Sequence, residues 1–335
     1  MAKEGVEVAD SSESTTGIAA SADGVDEVSR AQRRQQRDAA NAKRGRGFAL
    51  GVVVTLLGGA FWGFSGTSAS FLFDTYHIDT LWLMSVRQVL AGLLFMVVIA
   101  ARYRSQFCAM WRDRVDRRRL LLFAGFGLWF NQFWYLTAVR LTNAGTATVM
   151  QCLELLIIMA ITCVQARRRP RRREVFGVAL ALCGTYLIAT GGNPTSLAIS
   201  PAGLVAGAMC AISAALLAVL PAKILPKYGS PVVTGSGMLV AGIASSIFVQ
   251  PWRNVPTLDA PGLGAFAIFI FVGSFLAFML YMQGVKEIGS MPAALLGTVE
   301  PVSATITSAI MLGTVFMPTD LAGFAMIIAM VFLTV

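Results

Sequence analysis

Charged side chains are scarce in this chain. They make up 13% of its 335 residues, where a soluble domain carries about 25%. Histidine is reduced to one, His77, so a histidine-based metal or catalytic site is not available. The five cysteines are Cys108, Cys152, Cys163, Cys183 and Cys210. No pair of them has metal-ligand spacing, and four fall in apolar runs where a disulfide framework would not form. No metal and no cofactor are expected. The phosphate-cradling pattern G-x-x-x-x-G-K-[ST] is also missing, which argues against ATP as the energy source within this chain. Residues 1–46 have no apolar period and no apolar core ahead of a small-residue cleavage site. They read as a disordered basic tail and not as a signal peptide.

What is abundant is apolar sequence, 56% of the chain. Runs of about 20 apolar residues are the length that crosses a bilayer. Ten such runs follow the tail, at 48–73, 81–101, 120–139, 144–165, 174–190, 201–221, 231–250, 262–283, 290–313 and 320–335. The expected fold class is an all-α membrane protein. The formal charge of +9 does not point to nucleic acid. Of the 27 Lys and Arg residues, 24 lie in the tail and in every second loop, and two, Arg140 and Arg253, in the opposite loops. That alternation is the positive-inside rule, and it puts both termini in the cytoplasm of a multi-pass protein of the cell membrane. The cations flank spans without interleaved aromatics, so the bilayer is the expected partner and nucleic acid is not.

The chain also repeats itself. Shifted back by 146 positions, Tyr281 falls on Tyr135, Lys286 on Arg140, Ala293 on Ala147, Glu300 on Glu154 and Gly323 on Gly177, without a gap. The division expected is a tail at 1–46, a first five-helix repeat at 47–191 and a second at 192–335. Five spans is an odd number, so the second copy enters the membrane upside down. The expected architecture is therefore ten transmembrane helices in two inverted repeats around a central cavity.

A few polar residues sit inside the spans at a cost. Arg87 in span two either faces a cavity or snorkels to the surface, since a charge at depth costs at least ~2.5–3.5 kcal/mol. Span three carries Asn131, Gln132 and Tyr135, which either contact a ligand or bond between helices. Span four carries Gln151 and Glu154, and in the second copy Tyr281 and Glu300 match Tyr135 and Glu154. Each glutamate either meets ligand or proton in the cavity or is helix glue. Glu154, with amide neighbours, is the expected ligand contact, and Glu300 the more structural of the two. Pro301 removes a backbone donor and is expected to free a carbonyl near Gly297. Trp62 lies mid-span beside the pairs Gly59/Gly63, and Gly203/Gly207 repeats the pattern in span six. Such pairs serve either a moving, cavity-lining helix or close packing.

These residues carry a resemblance. Trp62-Gly63, Arg87, the corner from Ala138 to Ala147, Glu300-Pro301-Val302 and Gly323 to Ala329 resemble the EamA-type transporters of the drug/metabolite transporter superfamily. The likeness covers roughly residues 48–335. It implies two inverted five-span repeats, a central cavity and movement of small metabolites, often outward. The leading expectation is a secondary transporter of amino acids or related compounds working by alternating access, with a proton as candidate coupling ion. The candidate substrate-binding residues are Trp62, Arg87, Asn131, Gln132, Tyr135, Gln151, Glu154, Tyr281 and Glu300. The alternatives are an intramembrane lipid-handling protein or enzyme, for which no nucleophile–base pair is present, and a non-transporting scaffold subunit.

Overall fold

The fold was analysed in a computed structural model that describes residues 47–165, 167, 169, 171–193, 198–288, 293 and 296–334. The expected tail at 1–46 lies outside the described residues. Residues Gly51–Val335 form one compact unit, and Met1–Leu50 are assigned to another. Every regular element among the described residues is helical.

In chain order the main helices are α1 (Gly47–Tyr76) and α2 (Thr80–Arg112). Next comes α3, which runs from Arg114–Leu122 through Phe123–Trp129 to Phe130–Leu141. It is followed by α4 (Ala144–Gln151), α5 (Glu154–Gln165), α6 (Arg172–Thr190), α7 (Pro201–Val219) and α8 (Ser230–Val249). Then α9 runs through Ala260–Ala267, Ile268–Leu276 and Ala277–Ile288. The last two are α10 (Val299–Leu312) and α11 (Pro318–Thr334). Seven helical stretches of the described chain are long and apolar enough to cross a membrane, with α4 and the start of α5 counting as one (Ala144–Ile161), and α10 and α11 are shorter apolar ones. The helix α3 is outside that set, and its middle carries the amides Asn131 and Gln132.

The helices begin where the sequence supplies a cap. Asp79 accepts from the Trp82 N–H at 2.9 Å, Asn143 from the Thr146 N–H at 2.8 Å and Asp259 from the Gly262 N–H at 3.0 Å. Ser200 caps α7 ahead of Pro201, whose missing donor is one the first turn leaves unpaired anyway. At the other end of α10, Gly313 closes the helix at φ 65°, a left-handed conformation that costs glycine little. The residue 146 positions earlier, Arg167, adopts nearly the same φ of 48°.

Small residues let helices touch by backbone. Between α2 and α8, a Cβ on Gly92 would lie 2.8 Å from the Leu239 backbone, and one on Gly242 2.6 Å from the Val89 nitrogen. Between α6 and α11, Gly184 and Gly323 face each other's carbonyls at 2.8 and 2.7 Å on the same measure. Further extensive packings join α3 to α7 and α4 to α10. Gly58 brings α1 against Ala277 of α9. Gly59 and Gly63 press α1 onto α10: a Cβ on Gly63 would lie 2.4 Å from the Glu300 carbonyl oxygen.

Two irregularities recur in register. Helices α3 and α9 each contain a π-helical stretch, Phe123–Trp129 and Ile268–Leu276. Shifted by 146, the second covers 122–130. The break between α4 and α5 at Cys152 and Leu153 falls, on the same shift, at Thr298 and Val299, where α10 begins. At the first break the chain tightens into three-residue turns, with the Cys152 and Leu153 N–H groups donating to Val149 and Met150 at 3.1 Å. Pro301 sits in the first turn of α10, where its missing N–H interrupts no bond within that helix, three residues after the break at Thr298.

Outside the spans, the start of α3 is tied to the short helical turn Leu225–Tyr228. Asp116, 3% exposed, accepts from Lys227 Nζ at 2.6 Å, Arg119 Nη1 at 2.8 Å and Tyr228 OH at 2.9 Å. Lys227 also reaches Asp113 at 3.3 Å. The Lys227 hydrogen bond, with those from Tyr228 and Arg119, holds the Asp116 carboxyl below the usual aspartate range.

Candidate functional site

All nine candidate residues line one cavity of about 420 Å³, a size suited to a small metabolite. Every half of the sequence contributes. Helix α1 brings Trp62, α2 brings Arg87, α3 brings Asn131, Gln132 and Tyr135, and the α4–α5 break brings Gln151 and Glu154. From the second copy come Tyr281 on α9 and Glu300 on α10.

The charges converge. Glu300 lies within electrostatic reach of both Glu154 and Arg87. The two glutamates arrive by the same local device: each stands just after a break in its helix, Glu154 as the first residue of α5 and Glu300 as the second of α10. A break turns the following segment out of the stripe that the preceding one presents. Ala147 and Met150 are buried in packing, with Met150 against Gly207. Gln151 and Glu154 face the cavity.

Arg87 is held by uncharged groups. Its Nε donates to Ser274 Oγ at 2.5 Å, and its guanidinium lies 4.1 Å from the centre of the Phe269 ring. The aromatic wall is built from Trp62 and Tyr281, with ring centres 4.9 Å apart, extended by Phe278 at 6.4 Å from Trp62. Gly297 leaves room for Tyr281 beside the second helix break.

The amides divide. Asn131 Oδ1 accepts from Ser213 of α7 at 3.2 Å, and Gln151 Oε1 from the Cys210 thiol at 3.6 Å. Gln132 Nε2 is buried without a hydrogen-bond partner among the described residues. Trp134, three residues after Asn131, packs edge-on against Phe130 and Phe133.

Sequence reasoning missed several lining groups. Cys152 and Thr298 at the breaks, Gly273 and Ser274 in the π stretch, and Ser65 and Thr148 in regular helix all line the cavity, and single small residues in apolar runs carry no signal of that. Among the described residues no cluster of side chains has the makings of a metal site.

Known proteins resemble this chain along most of its length. An inner membrane transporter of Salmonella typhimurium, YicL, whose role is uncharacterised, is 30% identical over 283 residues, covering 84% of this chain and 94% of its own. The uncharacterised transporter YyaM of Bacillus subtilis is 26% identical over 188 residues, 53% of this chain and 60% of its own. A protein of known crystal structure shares the fold, with a TM-score of 0.59 at 18% identity over 84% of this chain and 96% of that one. The EamA-like transporter family matches residues 49–190 and again 201–335, so the two matches fall on the two copies that carry Glu154 and Glu300. A multi-pass integral membrane protein with a polar cavity closed by both copies, this chain belongs to the EamA-like transporter family.

Proposed function

We propose that this transporter is a secondary carrier of small zwitterionic metabolites, amino acids or close relatives, working by alternating access with export as its direction. The observation that carries the reading is the cavity. One guanidinium and two carboxylates meet there across an aromatic wall, in a volume of about 420 Å³. A zwitterion answers all three: its carboxylate suits the fork of Arg87, and its amine suits Glu154 with Glu300. Trp62 and Tyr281 would flank an apolar or cationic portion. Asn131, Gln132, Tyr135 and Gln151 complete the contact set. A proton gradient or a substrate gradient supplies the energy, with the two glutamates as proton carriers.

Ten spans in two inverted five-helix repeats, 47–191 and 192–335, underlie the mechanism. The helix pairings support this. The 146-residue shift relates α2 to α8 and α6 to α11, and each of these helices packs against its own counterpart. It also relates α1 to α7 and α9 to α3, and the pair α1 with α9 has its image in α7 with α3. A pseudo-two-fold axis through the cavity gives that set of pairings. The cation distribution orients the protein in the cell membrane with both termini cytoplasmic.

The test is flux into and out of vesicles that contain only the purified protein, over a panel of amino acids and their amides and decarboxylated amines, with and without a pH gradient. Saturable movement of zwitterions above the protein-free background is expected. Background flux for the whole panel would overturn the reading.

A further inference from the structure

Arg87 is met by no carboxylate within ion-pair distance among the described residues, although a buried cation ordinarily needs one. The π-helical stretch Ile268–Leu276 of α9 supplies what replaces it. Ser274 follows Phe269 by five residues, one π turn. Its hydroxyl therefore hangs over the Phe269 carbonyl and donates to it at 3.2 Å. A hydroxyl has one proton to give. With that proton engaged, the side of Ser274 Oγ that faces Arg87 is a lone pair, and it accepts from Nε at 2.5 Å. Phe269 serves twice, since its ring lies under the guanidinium at 4.1 Å while its carbonyl orients the serine. A second hydroxyl, Ser65 of α1, donates to the same carbonyl at 3.4 Å. It reaches that far only because residue 273 is glycine, where a Cβ would lie 1.8 Å from Ser65 Oγ. Ser274 is 2% exposed and Phe269 fully buried, so the mount is rigid.

We propose that Ser274 and Phe269 are positioning residues that fix the Arg87 guanidinium by Nε and by its face, leaving its two terminal nitrogens for a ligand carboxylate. Among the described residues those nitrogens have no protein partner. Glu300 is within electrostatic reach but outside ion-pair distance, so it does not occupy the fork. An anion can then bind in two-pronged fashion without first displacing a protein carboxylate. The ligand half of this proposal rests on the zwitterion reading above. The mount itself does not.

The experiment uses the full chain with two variants, Ser274→Ala and Ser274→Thr, and two readouts. The first is hydrogen exchange at the Arg87 Nε–H in arginine-labelled protein in detergent, assigned by NMR through its loss in Arg87→Lys. The second is the KM for a transported amino acid and for its amide, which lacks the carboxylate. Ser274→Ala is expected to speed exchange at Nε and to raise the KM of the acid about tenfold, with kcat and the KM of the amide unchanged. Ser274→Thr, which keeps the hydroxyl, restores both. Unchanged exchange in Ser274→Ala overturns the mount. Parallel shifts for acid and amide show that the serine only stabilises the fold and overturn the proposal. Faster exchange in a protein whose wild type does not distinguish acid from amide keeps the mount and removes the carboxylate as its ligand.

Discussion

Glu300 is held from behind by a glycine. The Gly63 backbone packs on the Glu300 carbonyl and on the Ala304 nitrogen, where a Cβ would lie 2.4 and 2.6 Å away. Both obstacles are backbone, so neither can swing aside. Gly63→Ala is expected to cost about 1–3 kcal/mol through overpacking and to reduce flux beyond its loss of stability, because the displaced segment carries the carboxylate. Thermal melts read together with flux per folded molecule check this. The glutamates themselves are separable. Glu154→Gln is expected to lower flux about tenfold or more, as loss of a charged ligand contact does, and Glu300→Gln to lower it less and alter its pH profile. Wild-type rate and pH dependence in both variants, each properly inserted, would leave the carboxylates as packing alone. Polarity made these residues legible in the sequence: a charge or amide inside an apolar run has few reasons to be there. Ser274 and Phe269 were not legible in the same way. A lone serine is ordinary in a membrane helix, and only a π turn places its hydroxyl over the carbonyl five residues back.

Helices in lipid satisfy their own backbone, so every interruption leaves polar groups to be met elsewhere. Two interruptions recur at matching positions in the two copies, a π stretch and a break. The proline is not their cause. The first copy has Leu155 where the second has Pro301, and both helices break three residues or fewer upstream. Pro301→Ala is therefore expected to leave transport intact and to change stability by less than about 1 kcal/mol. A mid-helix proline would by contrast oppose its helix by ~3 kcal/mol. Denaturation midpoints and flux for Pro301→Ala measure the difference, and a large change in either would make the proline the cause of the break after all. Apolar run lengths placed the long apolar helices in advance. They gave no sign of the π stretches, because a single inserted residue rotates the apolar stripe without interrupting it.

At the scale of the molecule, the 146-residue shift announced the duplication, and positions of like type recur along it because both copies solve the same packing problem. The pairing of α2 with α8 and α6 with α11 was beyond the sequence, since small residues are spread through most spans and do not name their partners. The network around Asp116 was equally hidden, for Lys227 and Tyr228 lie over 100 residues from it. Leu225 and Ser230, on either side of Lys227 and Tyr228, line the cavity, so this network braces one lip of it. Its pH dependence has a definite sign. The native state holds the Asp116 carboxyl below its ordinary value, so its contribution is complete above that value and disappears as pH falls through the lowered one. The advantage in Tm of wild type over Asp116→Asn is expected to be constant from neutral pH down to about 5 and to close below about 4. A difference that does not vary with pH would mean that the aspartate acts by shape alone. The broken helix has a practical consequence as well. Cys152, at the break, lines the cavity beside Glu154, whereas Cys163 and Cys210 are buried and Cys108 and Cys183 are exposed elsewhere. The wall of the cavity thus carries its own thiol, a native attachment point from which a probe could report, one molecule at a time, whether the cavity is filled.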